Sequence, residues 1–377
     1  MPFQPEVSVV DEKVYWMGWQ YLLPGSAKRI WNLVERFGSP GAAWMASGEA
    51  LVTRGGFEPR GAAHLVRRRS ELDLQEELAR LQEQNITYIT FEDGDYPQLL
   101  RVIFDPPPGL FVRGTLPPPG GQAVAVVGSR RPTPYGVTVA EKLGGELARA
   151  GVTVVSGMAR GIDSAAHRGA LAAGGRTVAV LGCGVDVVYP RENKRLMDEI
   201  IEAGAVISEF PPGSPPEAWH FPVRNRIISG LSRATVVVEA AEKSGALITA
   251  DLALDQGRDV MAVPGPVTSP QSRGPNQLIK QGARLVESVA DVLEELGITC
   301  LFPGKHLQSP VMPRLTTEEE TVYGMLSGDP VPVDIIIENT GLATQQVLSA
   351  LMFLEVKGLV RQFPGRLYAR REKPTRF

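Results

Sequence analysis

Apolar residues recur along the chain with three different spacings, and each spacing predicts a different kind of structure. Over residues 11 to about 80, Trp16, Trp19, Leu22, Leu23, Ile30, Trp31, Leu33, Val34 and Phe37 mostly fall three or four apart, the period of one helix face. Pro24-Gly25 and Gly38-Ser39-Pro40-Gly41 interrupt that pattern with turns, so residues 1–84 are expected as a small N-terminal helical domain. A further amphipathic helix is expected over 71–84, then a strand over 86–91. From residue 123 the pattern becomes short, continuous apolar runs at 123–127, 152–156, 177–181, 205–208, 234–239 and 259–263. Helix-like segments at 137–150, 161–174, 191–203 and 244–256 separate them. Such alternation predicts βαβ units: a parallel, Rossmann-like sheet covered by helices on both faces, with right-handed crossovers. This α/β core is expected to occupy residues 85–298. Pro303, Gly304, Pro310 and Pro313 mark residues 299–313 as a linker. In 314–377, Thr317 is expected to cap a helix with Glu320 at its third position. Helices over 333–338 and 344–357 and a hairpin over 358–368 complete the pattern of a C-terminal winged-helix domain.

Composition narrows the chemistry. A length of 377 residues suits two to three domains. Two cysteines, Cys183 and Cys300, and four histidines exclude a disulfide scaffold and make a zinc, iron–sulfur or histidine-built metal centre a poor fit. No cofactor is called for. Residues 1–6 lack a secretory pattern, and no stretch approaches about 18 uninterrupted apolar residues. The expectation is a cytoplasmic protein without a membrane partner. Lys and Arg total 39 against 42 Asp and Glu, a formal net charge of −3. That balance does not exclude nucleic acid, because binding follows the local field. The tail 361–377 alone carries six Lys or Arg against one Glu.

The 40 glycines and 31 prolines exceed ordinary usage of about 7% and 5%, and their positions matter more than their number. The run Val124-Ala-Val-Val-Gly-Ser-Arg-Arg-Pro-Thr-Pro-Tyr-Gly136 is a buried strand entering a glycine turn, two arginines and a helix start. Gly128 and Ser129 permit close backbone approach, the helix amides offer phosphate a site, and Arg130 adds a forked cation. Neither G-x-G-x-x-G nor G-x-x-x-x-G-K-[ST] occurs, which disfavours ordinary dinucleotide and P-loop binding. Ser156-Gly-Met-Ala-Arg160-Gly-Ile-Asp163 follows the next strand, with Asp163 expected as a helix cap and His167 as a packed histidine. Ser156 or Ser164 with His167 is the weaker, catalytic reading of this segment. Cys183 reads as a small buried residue. Arg224, Asn225 and Arg226 follow Pro222 at an expected helix start, where charge, amide and dipole can converge on a nucleic-acid backbone. Phe210, His220 and Phe221 are base-stacking candidates. Lys243, Ser244 and Gly245 stand after the fifth strand beside Glu239. All these loops are expected beyond the carboxyl ends of the strands, where parallel sheets gather ligands.

In order, G-S-R at 128–130, S-G-x-A-R-G-I-D at 156–163, G-C-G-x-D and Y-P-x-E-N within 182–193, and S-E-x-P-P-G at 208–213 closely resemble the DNA-processing protein A (DprA/Smf) family. F-P-x-R-N-R-I-I-x-G-L-S at 221–232, E-A-x-x-x-S-G-A-L-x-T-A at 239–250 and G-x-N-x-L-I-x-x-G-A at 274–283 extend the match. The resemblance implies a Rossmann-like single-stranded DNA binder, usually a homodimer. In that role it protects DNA and helps load RecA recombinase during natural transformation or recombination, with no established catalytic reaction. The arginine of the family's G-S-R loop corresponds to Arg130. Arg160, Lys194, Arg224, Arg226 and Lys243 are assigned to DNA from charge and loop position. The N-terminal helices resemble helix-hairpin-helix or SAM-like modules, and the winged helix is expected to contact duplex DNA or a protein. Two other classes stand beside this one: a Rossmann-like enzyme processing nucleotides or nucleoside phosphates, and a recombinase adaptor that does not bind DNA.

Overall fold

The computed structural model describes residues 12–298, 315–363 and 365–370. The chain divides into two compact units, Met1–Leu301 and Phe302–Phe377. The expected linker at 299–313, together with Cys300, and residues 371–377 of the basic tail lie outside the described residues.

A nine-stranded sheet forms the first unit, built from β1 (Thr87–Thr90), β2 (Gly109–Gly114), β3 (Ala123–Val127), β4 (Thr153–Ser156), β5 (Thr177–Val180), β6 (Ala205–Ser208), β7 (Ala234–Val237), β8 (Asp259–Ala262) and β9 (Arg284–Leu285). Its spatial order is β1-β2-β6-β5-β4-β3-β7-β8-β9. Strands β3 to β9 pair in parallel, whereas β2 is antiparallel to both β1 and β6. Strands β3 to β7 are buried along their whole length, which is why they read as continuous apolar runs rather than alternating ones. Val124, Val126 and Val154 pack under helices Pro134–Arg149 and Ile162–Ala172. Ala125, Val127 and Val155 pack under helices His220–Gly230 and Gly245–Asp255 on the other face. The chain builds β4, β5 and β6 on one side of β3 and then crosses to β7 on the other side. That reversal opens a crevice beyond the carboxyl ends of β3 and β7, the ligand position expected of such sheets.

The predicted N-terminal helices are present, but they share a hydrophobic core with the sheet: Trp16, Met17 and Trp19 belong to one cluster with Tyr88, Phe111 and Val206. Gln20 is buried at this junction and donates to the carbonyls of Gly109 (3.0 Å) and Glu209 (2.9 Å). Helical periodicity reveals an apolar face but not the surface it covers, so the shared core could not be read from the sequence.

The second unit carries helices Thr317–Met325, Val333–Thr340 and Thr344–Val356, and a small antiparallel sheet in the order β10 (Val331–Pro332), β12 (Leu367–Arg370), β11 (Val360–Phe363). Val322, Ile336, Val347, Leu351 and Leu354 fill its core. The predicted winged-helix pattern holds, with one correction at the first cap. Thr316 is the N-cap and Glu319 closes the capping box, rather than Thr317 and Glu320. Two overlapping T-x-x-E frames exist, and the selected frame buries Glu319 against Lys357 Nζ at 2.7 Å.

Candidate nucleic-acid interface

A cavity of about 740 Å³ lies at the switch point between β3 and β7. Gly128, Ser129, Arg130 and Arg131 enter it from the loop after β3, and Lys243, Ser244 and Gly245 from the loop after β7. Phe221, Arg224 and Asn225 come from helix His220–Gly230, Tyr189 from the loop after β5, and Asp163 from helix Ile162–Ala172. The predicted convergence of strand-end loops is therefore realised for most of the site residues.

Glu239 organises the two principal loops. Its backbone carbonyl accepts from Ser129 N at 2.6 Å. Its buried carboxylate accepts from Thr133 N at 2.8 Å and from Thr133 Oγ1 at 2.6 Å. Thr133 in turn caps helix Pro134–Arg149 through Gly136 N at 3.2 Å. A Cβ at Gly136 would stand 2.3 Å from the Glu239 carboxylate, so only glycine fits there. This corrects the expectation that the amides of that helix receive phosphate: the protein's own carboxylate already occupies the positive end of the helix. Helix Gly245–Asp255 starts differently. Ser244 caps it by accepting from Ala246 N at 3.3 Å, and Gly245 faces open space.

Cations and aromatic rings share the cavity wall. The Arg130 guanidinium is exposed and lies 5.0 Å from the centroid of Phe221, which is half-buried and stands 5.5 Å from the exposed ring of Tyr189. Arg131 is exposed, with its backbone N–H donating to Ser129 Oγ at 3.0 Å, and Lys243 is exposed on the opposite loop. Against these cations the only acidic residue in the lining, among the described residues, is Asp163. Burial raises its carboxyl above the ordinary value, although Arg224, the backbone amides and Arg130 pull the other way.

Several assignments need correction. Arg226 is buried. Its Nη1 and Nη2 meet the Glu209 carboxylate at 2.5 and 2.8 Å, and its Nε stands 3.0 Å from Asp105, so this guanidinium belongs to the fold and not to a phosphate. Arg224 lines the cavity but is also buried, donating from Nη1 to the carbonyls of Gly157 (2.9 Å) and Val180. Burial lowers it to about 10, with Asp163 opposing; at neutral pH it remains a cation that contributes field more than direct contact. Phe210 and His220 are buried and stacked on each other, centroids 3.9 Å apart, and His220 Nδ1 lies 3.0 Å from the Gly182 carbonyl. Neither ring is open to a base; Phe221 is. Arg160 and Lys194 are exposed but do not line the cavity, being paired with Glu192 and Asp198. Asp163 lies within the first turn of its helix, not at the cap, which is Gly161.

The weaker catalytic reading finds no geometry. Ser156 Oγ donates to the Val126 carbonyl and Ser164 Oγ to the Ala159 carbonyl. His167 Nδ1 meets Thr177 Oγ1 at 2.6 Å, and burial lowers the imidazole to about 3, so it is the packed histidine expected. Burial raises the Cys183 thiol to about 12, which keeps it protonated. Arg131 and Tyr189 were not among the sequence-derived site residues. Arg131 adjoins Arg130 in the same turn, and Tyr189 opens the Y-P-x-E-N run, so both had a local signal.

The sequence profile described as DNA recombination-mediator protein A matches residues 87–297, and that of the DprA winged helix domain matches residues 308–366. Protein Smf of Synechocystis sp. is 36% identical over 395 residues, spanning 96% of this chain and 99% of that protein. Protein Smf of Escherichia coli is 41% identical over 297 residues, spanning 78% and 79%. The X-ray structure of DNA processing protein A from Streptococcus pneumoniae aligns with a TM-score of 0.63 at 37% identity, across 74% of this chain and 97% of that one.

Proposed function

The chain belongs to the DNA recombination-mediator protein A family, and from that premise we propose that the cavity beyond β3 and β7 binds single-stranded DNA without sequence preference. The observation that carries this reading is the pairing of an exposed guanidinium with an accessible ring, Arg130 over Phe221 at 5.0 Å, inside an open cavity lined by further cations. Arg130, Arg131 and Lys243 receive phosphates. Ser244 and Gly245 let the backbone approach closely, and Phe221 with Tyr189 offers faces on which bases stack. Every base has a π-face, so stacking tolerates any sequence, and phosphate contacts position the strand without reading it. In this role the protein protects single strands and, as a homodimer, helps load RecA recombinase during natural transformation or recombination; family membership supports that part of the proposal.

The winged helix acts as a protein contact rather than a duplex reader. Helix Thr344–Val356 exposes Leu348, Met352, Phe353 and Val356, and none of its residues is Lys or Arg. Residues 314–377 hold eight Asp or Glu and eight Lys or Arg, so the exposed apolar face, not net charge, carries this reading.

Fluorescence anisotropy with labelled oligonucleotides over a salt series tests the main reading. Arg130→Ala should weaken binding to different sequences by a similar factor and lower the log–log salt slope by about 0.7, one phosphate contact. Unchanged affinity in a folded variant refutes the pocket assignment. For the winged helix, Met352→Glu should leave duplex and single-strand binding unchanged; a loss of duplex binding refutes the protein-contact role.

A further inference from the structure

The loop over residues 102–108, between helix Gln98–Arg101 and β2, is pinned from three directions. Tyr96 Oη donates to the Pro107 carbonyl at 2.7 Å, Trp31 Nε1 to the Pro106 carbonyl at 2.7 Å, and Arg226 Nε to the Asp105 carbonyl at 3.1 Å. On this anchored loop Phe104 is 87% exposed. A ring held in water by a fixed backbone contributes little to the core, so packing does not explain it. Lys28 Nζ lies 5.4 Å from its centroid. Phe104 and Lys28, with Trp31, Asn32, Phe91 and Asp105, line a cleft of about 310 Å³. This cleft and the main cavity have no lining residue in common.

Trp219 is 48% exposed and lies in sequence between Ala218 and Phe221, both of which line the main cavity. On its other side the ring rests on the Pro24-Gly25 turn: a Cβ at Gly25 would come 3.0 Å from Trp219 Cζ3. Lys28 follows Gly25 by three residues, at most about 11 Å of backbone. The half-buried ring of Phe221, the exposed rings of Trp219 and Phe104, and the cations Arg130 and Lys28 thus lie along segments that lead from the cavity to the N-terminal helices.

We propose that the Phe104–Lys28 cleft is a second station for the same single strand, stacking a base on Phe104 and holding a neighbouring phosphate at Lys28. It rests on the single-strand reading of the main cavity and gives the N-terminal helices a part in binding. Phe104 supplies the face, Lys28 the charge, and Asn32 an amide within the same cleft, a combination suited to a polynucleotide strand. The Asp105 carboxylate is held on the loop by Arg226 at 3.0 Å, a cation it shares with Glu209, so the charge attracting a phosphate there is that of Lys28.

The test uses the intact chain and oligonucleotides of about 5 and about 20 nucleotides, near the lower end and beyond the upper end of the site sizes of about 4–16 nucleotides found in single-strand binders. Phe104→Ala should weaken the longer strand roughly fivefold or more, the loss of one stacked base, and leave the shorter one unchanged. Phe104→Trp should restore affinity, and Lys28→Ala should lower the salt slope for the longer strand only. Phe104→Ala binding the longer strand as the parent does, or weakening both lengths alike, overturns the proposal. Arg130→Ala separates the two readings: it should weaken both lengths. If it weakens neither, the main-cavity reading fails, whereas a Phe104 effect confined to the longer strand would still identify the cleft as a nucleic-acid site.

Discussion

Replacing Arg226 by methionine keeps an aliphatic stem and removes the guanidinium. The Glu209 carboxylate, 1% exposed, then loses donors at 2.5 and 2.8 Å, and Asp105 loses its partner at 3.0 Å. Removing one member of a buried ion pair costs about 3–5 kcal/mol, because the remaining charge stays desolvated without compensation. A body the size of the first unit has an unfolding entropy of roughly 0.6 kcal/mol per degree, so that cost lowers the melting temperature by about 5–8 °C. Arg226→Met combined with Glu209→Met removes the buried carboxylate together with its partner, leaves only the partly exposed Asp105 without one, and should recover most of the loss. Urea unfolding of the parent, both single variants and the double variant measures the coupling; salt-dependent anisotropy on the same proteins measures phosphate contacts. The expected result is strong coupling with an unchanged salt slope. An Arg226→Met protein that unfolds at the parent's urea midpoint while its slope falls by one contact would refute the reasoning, since the guanidinium would then be meeting phosphate in solution.

Phe221→Ala should weaken single-strand binding by about 1–3 kcal/mol across sequences and Phe221→Tyr should retain it, while Phe210→Ala should chiefly lower the denaturation midpoint; anisotropy and urea unfolding separate the two. His167 is held neutral, with a folded value near 3 against an ordinary 6.5. As pH falls from 6.5 towards 3 the unfolded chain takes up a proton that the native state refuses, so stability declines by about 1.4 kcal/mol per pH unit. His167→Gln should flatten that decline by one proton in pH-dependent unfolding. In the second unit, Lys357 holds the Glu319 carboxyl below its ordinary value. The stability from this pair is present above the ordinary carboxyl range and is lost as pH falls through the lowered folded value. Glu319→Gln should reduce the stability of the winged helix near neutrality and remove that acid-dependent part, read by differential scanning calorimetry.

The order of elements was legible because each packing environment leaves its own period in the sequence. Continuous runs such as 123–127 and 205–208 marked strands buried on both faces, and Gly-marked strand ends placed Gly128, Arg130, Lys243 and Gly245 on one edge. The sequence could not say which polar groups would satisfy one another inside. Arg224 and Arg226 sit two apart in one helix, yet one turns to the carbonyls of Gly157 and Val180 and the other to Glu209. Glu209 lies 17 residues away in the chain. Phe210 and Phe221 look alike as exposed-ring candidates, and only packing buried the first under His220 and left the second beside Arg130. Local sequence determined the strand ends, turns and charges, since backbone sterics and periodicity act over a few residues. Which cations remain in solvent and which rings stay open was decided by tertiary structure, because desolvation and ion pairing depend on partners brought together from distant parts of the chain.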